Sequence, residues 1–202
     1  MTVERLNEGP PEPRSGLAGL WDRLVGPGVT PAEWRLELGG TLFLLAGIGL
    51  ALFWGREGLG WSPVQWSVAL LLALDLSGGV VVNATGTAKR WYHRPGQGLW
   101  QHMAFVAVHA LHLFLVAWLF RGVDWAYFLL NYAYLLLASW LVLRAPLHLQ
   151  RPTAMTLYAA SLLGSFYLLP ATLGMAWFLP FFYLKLLVSY LPQETPFRPG
   201  EG

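Results

Sequence analysis

Between Thr41 and Trp54 the chain reads TLFLLAGIGLALFW, with no charged residue, and comparable apolar runs recur almost to its end. Inside a bilayer such a run must satisfy its own amide and carbonyl groups, which leaves a single segment only the α-helix. In water the same runs would have to be buried on every side, and the chain has too little polar surface for that. Of its 202 residues, 55% are hydrophobic and 12% charged, against about 25% charged in an ordinary soluble domain. Eleven Trp and eight Tyr fit the same reading, because amphipathic rings settle where hydrocarbon meets headgroup. The expected fold class is all-α, a polytopic transmembrane bundle.

Breakers divide the chain into about six spans. Thr30-Pro31-Ala32-Glu33 makes a capping box with Pro at the first helical position. It opens a helix that runs to Trp54 and stops at Gly55-Arg56-Glu57-Gly58. The later spans cover about residues 63–84, 99–120, 124–143, 152–169 and 172–191. Each approaches or reaches the roughly 20 residues that cross a hydrocarbon core. Residues 1–30 read as a disordered and interfacial N-terminal segment. Within it, 1–16 are polar and rich in Pro and Gly, and 17–25 form an amphipathic piece anchored by Trp21. Residues 31–192 are the six-helix domain and 193–202 a polar tail.

Charge gives the orientation. Ten basic residues fall on the N-terminus, the second and fourth loops and the tail, whereas Arg56 and Arg121 alone occupy the other side. Positive charge favours the cytoplasmic side, so both termini are expected there, in the inner (plasma) membrane. No long basic run suggests a nucleic-acid partner. The absence of Cys excludes disulfides, thiolate metal sites and cysteine nucleophiles.

Ionisable side chains within a bilayer are costly unless buried, paired or neutralised, and so mark function. Asp75 lies in the second span, His109 and His112 in the third, and Lys185 in the sixth. Asp75, Gly79 and Asn83 share one helical stripe, and His102, His109 and His112 one arc. At 1.5 Å per residue, Asp75 sits about 12 Å from Asn83, and the two later histidines sit about 10 and 15 Å from His102. Asn83 and His102 both lie near the cytoplasmic boundary, so Asp75, His109, His112 and Lys185 are expected at one depth, turned inward to a shared pocket. Gly78 and Gly79 would let a neighbouring helix approach Asp75, and Pro180 would kink the sixth span before Lys185.

Three readings of that site stay open. Asp75, His109 and His112 suit Zn or Fe, with a position left for activated water. That arrangement implies a metal-dependent intramembrane hydrolase acting on a lipid-like substrate, with His102, Asn83 and Lys185 as catalytic helpers. Alternatively, Asp75 pairs with Lys185 while the histidines relay protons, as in a small proton-coupled permease or transporter subunit. In the third reading the polar groups only pack helices in a non-catalytic membrane subunit. The loop NATGTAKRWYHRPGQG (83–98) offers Lys89, Arg90 and Arg94 to an anionic headgroup, or simply carries the positive-inside charge with its aromatic belt. Tyr127, Asn131, Tyr132, Tyr134, Ser161, Ser165 and Tyr183 either line a cavity or act as interhelical glue. Intramembrane Asp with His is similar, in residue type alone, to the metal-dependent ceramidase and adiponectin-receptor superfamily. The His-x2-His spacing here departs from that superfamily's pattern, so no residue role is carried over.

Overall fold

The computed structural model describes residues 10–194 and is helical, with no strand among them. The disorder expected of 1–16 and the polar tail at 193–202 fall mostly outside these residues. In chain order the helices are α1 (Gly16–Val25), α2 (Pro31–Gly55), α3 (Pro63–Val82), α4 (Gly86–Tyr92), α5 (Leu99–Val108), α6 (Ala110–Leu119), α7 (Trp125–Arg144), α8 (Leu147–Leu163) and α9 (Phe178–Tyr183). A single-turn Arg56–Gly58 follows α2, while π-helical turns Gly164–Leu168 and Leu184–Tyr190 extend α8 and α9. Among the described residues, four stretches are long and apolar enough to cross a membrane: Pro31–Gly58, Pro63–Val82, Leu99–Leu119 and Trp125–Arg144.

Local chemistry explains these starts. The Thr30 capping box forms as expected, with the Glu33 amide donating to Thr30 Oγ1 and the Thr30 amide to Glu33 Oε2. Ser62 and Gln65 repeat the device at α3, with Pro63 at the first helical position. The Asp124 carboxylate caps α7 by accepting from the Tyr127 amide. Four orphan amides at each helix start make such caps worth about 1 kcal/mol each.

The last two helices depart from the expected boundaries. α8 begins at Leu147, so Pro152 lies inside it rather than at its start. The final helix begins at Phe178, not near Thr172, and Phe178–Tyr190 is a shorter apolar helix than the four above. Pro180 is consequently in the first turn, where its missing N–H costs nothing, and it does not kink the middle of a span. Despite its length, this helix is the centre of the core. Phe178, Phe182, Tyr183, Leu186 and Leu187 are almost wholly buried, packed with Leu72, Leu76, Leu113, Leu135 and Ala138 from α3, α6 and α7. α2 lies at the periphery and packs chiefly along α3.

Candidate intramembrane polar site

α3, α6 and the π-helical end of the last helix bring Asp75, His112 and Lys185 together. Lys185 Nζ donates to Asp75 Oδ2 at 2.6 Å, and His112 Nε2 bonds the same oxygen at 2.8 Å. His109 and His112 stack with ring centroids 4.9 Å apart and planes 22° apart. One ligand atom from each of Asp75, His109 and His112 lies within 4.8 Å of the others, a group that could hold a metal ion. The four residues expected at one level along the helices therefore lie together.

The backbone sets the state of His109. At the α5–α6 junction its amide donates to the Val106 carbonyl, three residues back. The Phe105 carbonyl, four residues back, instead faces His109 Nδ1 at 2.8 Å. A carbonyl only accepts, so Nδ1 carries the hydrogen and Nε2 keeps its lone pair. His112 Nδ1 is buried without a partner.

The expected closed pocket is only partly formed. Lys185 and His109 are buried at 4% and 5% exposure, whereas the Asp75 side chain is 47% exposed. Asp75 emerges beside exposed Leu71 and Leu74 on the outer face of α3. α2 and α6 each pack against α3 but not comparably against each other, so among the described residues no helix covers that face.

Gly79 is what lets Lys185 reach Asp75. A Cβ at Gly79 would lie 2.4 Å from Lys185 Cε, so the lysine stem occupies the space a side chain would take. Gly78 instead faces Thr41 of α2. The close approach expected at this glycine pair is made by a side chain on one flank and a helix on the other.

The remaining candidates lie apart from this group. His102 Nδ1 bonds the Tyr190 hydroxyl at 3.0 Å, and its ring stacks on His93 with centroids 4.6 Å apart. Asn83 ends α3, buried, with its amide nitrogen unpartnered. Lys89 points inward, donating to the Tyr190 and Pro192 carbonyls at 3.4 and 2.7 Å, and burial lowers its pKa to about 8. Arg90 donates to Thr87 Oγ1, and Arg94 lies 3.7 Å over the Trp91 ring. The polar residues of α7 behave as interhelical glue: Tyr183 donates to Asn131 Oδ1 and Tyr134 to the Leu157 carbonyl.

Sequence reasoning missed Phe105, whose carbonyl orients His109, and Tyr190, which links His102, His93 and Lys89. An aromatic residue in an apolar helix carries no signal of its own. The i–4 spacing of Phe105 and His109 was the available clue. A scan against protein-family models and searches of curated proteins and of solved structures found no match for the chain.

Proposed function

We propose that this chain is a six-span membrane protein, both termini cytoplasmic in the inner (plasma) membrane, that holds Zn2+ or Fe2+ within the bilayer and hydrolyses a lipid-like substrate. Asp75, His109 and His112 are its ligands, a set that suits these ions. The observation that carries this reading is the convergence of three ligand atoms within 4.8 Å, with His109 already turned by the Phe105 carbonyl. Metal-ligating histidines characteristically donate their second ring N–H to such a group. The exposed flank of Asp75, bordered by Leu71 and Leu74, supports access for a molecule dissolved in the bilayer. A bound metal there would supply acidified water and a polarised carbonyl.

Lys185 acts as the countercharge of Asp75 when no metal is bound, because ammonium and metal compete for the same carboxylate. Ligation through His112 Nε2 would require the hydrogen now facing Asp75 to sit on Nδ1, which is buried and has no partner among the described residues. Arg90 and Arg94 are the candidates for an anionic headgroup, while Lys89 is committed to carbonyls. His102 and Asn83 lie about two turns toward the other end of the helices and do not enter this reading. Protein purified without chelator is expected to carry about one equivalent of zinc or iron per chain, and His109→Ala almost none. A wild-type chain well short of one equivalent overturns the proposal.

One observation favours a second reading. Lys185 and His112 share Asp75 Oδ2 at 2.6 and 2.8 Å, an arrangement suited to passing a proton in a small permease or transporter subunit. Transport into proteoliposomes by metal-free protein, abolished by Asp75→Asn, selects that alternative.

A further inference from the structure

A second polar cluster lies where α2 meets α4. Glu33 and Glu37 are one turn apart on α2 and share a face. Glu33 is fully engaged. Its Oε2 accepts from the Thr30 amide, the Thr30 hydroxyl and the Thr87 hydroxyl at 3.0, 3.0 and 2.9 Å, and its Oε1 from the Thr87 amide at 3.0 Å. Among the described residues Glu37 accepts no hydrogen bond of normal length. It is 5% exposed, and both carboxylate oxygens are buried without a hydrogen-bond partner.

Its surroundings sharpen the anomaly. The Thr85 hydroxyl lies beside Glu37 but gives its hydrogen to the Val82 carbonyl at 2.9 Å. The charge Glu37 feels is that of Glu33, of the same sign. Neither cation of α4 bonds Glu37: Arg90 donates to Thr87 Oγ1, and Lys89 to the Tyr190 and Pro192 carbonyls. A buried carboxylate with no uncommitted donor and a like charge one turn away is strongly disfavoured. Either a proton or a cation placed directly on its oxygens relieves it.

We propose that Glu37, with the Thr85 hydroxyl oxygen beside it and the negative charge of Glu33 one turn away, is a site for a small hard cation of the Na+, Mg2+ or Ca2+ class. The donors are all oxygen, which is what such ions take. The Asp75 group offers imidazoles and selects transition metals instead. The cation neutralises Glu37 and fastens α2 to the α3–α4 junction, supplementing the Glu33–Thr87 bonds.

The test is thermal unfolding of the full chain in detergent, in choline chloride with chelator, titrated separately with Na+, Mg2+ and Ca2+. One ion is expected to raise Tm saturably, by about 5 °C at about a hundred times its Kd. Glu37→Gln keeps the shape and removes the charge. It is expected to be at least as stable as the ion-free wild type and to lose the ion response. His109→Ala, which dismantles the other group, is expected to keep the response, so the two sites fail separately. The proposal is overturned if no ion raises the wild-type Tm, or if the response survives Glu37→Gln.

Discussion

Among single residues, Asp75 and Lys185 are matched unequally. The lysine is buried at 5% side-chain exposure while its partner is 47% exposed. Removing one member of a pair strands the other, and a stranded charge costs more the deeper it lies. Asp75→Asn, which abandons the buried ammonium beside Gly79, is therefore expected to destabilise by about 3 kcal/mol. Lys185→Met leaves a half-exposed carboxylate and should cost clearly less. The double variant is expected to recover most of the loss, since neither charge remains to be compensated. Denaturation of all four proteins in one detergent checks this, and strictly additive losses would show that the two groups do not depend on each other.

At the scale of elements, α4 and the loop after it hold the end of the last helix through a cluster of titratable groups. His93 Nε2 donates to the Tyr190 carbonyl at 3.1 Å, with His102 stacked on its ring and Lys89 nearby. Burial first, and then the neighbouring His102, pulls the His93 pKa from 6.5 down to about 4. The folded value lies below the unfolded one, so between these limits the unfolded chain binds more protons. The stability held by neutral His93 is complete above pH 6.5 and declines as pH falls toward 4. Melting temperatures across that range should fall less steeply for His93→Gln than for wild type. Parallel curves would remove His93 as the cause.

The elements also differ in how openly their sequence declares them. α2 and α3 announce their starts through capping boxes with Pro, and α7 through Asp124, because a cap is a local pattern. The final helix does not. FLPFFYLKLLVSY is apolar on every side, so no periodicity separates it from the apolar residues before it, and a span drawn by hydropathy begins several residues early. α8 misleads differently: Pro152 resembles a helix start, yet the chain accepts a proline inside the helix and begins at Leu147. Depth within a helix is a matter of counting, which is why Asp75, His109, His112 and Lys185 were legible as one level. The open side of Asp75 depends on which helices lie next to α3, and spacing along one helix does not encode that.

For the whole molecule, the decisive property is where the Asp75 site opens. α3 is flanked by α2 on one side and by α6 and the last helix on the other, with Leu71 and Leu74 left exposed beside the carboxylate. An opening onto lipid serves a substrate dissolved in the bilayer, whereas an opening onto water serves a permeation path, since a polar pathway in a membrane needs a wet cavity. The chain contains no Cys, so a single introduced thiol reports one position without background. A spin label attached after Leu74→Cys in bilayers is expected to relax strongly with oxygen, which concentrates in hydrocarbon, and weakly with a water-soluble nickel chelate. A label attached after Leu76→Cys, at a position of 0% exposure, should respond to neither. Strong relaxation by the nickel chelate at position 74 would mean that water reaches Asp75 from this face, which would remove the lipid-access argument for the hydrolase and favour proton-coupled transport.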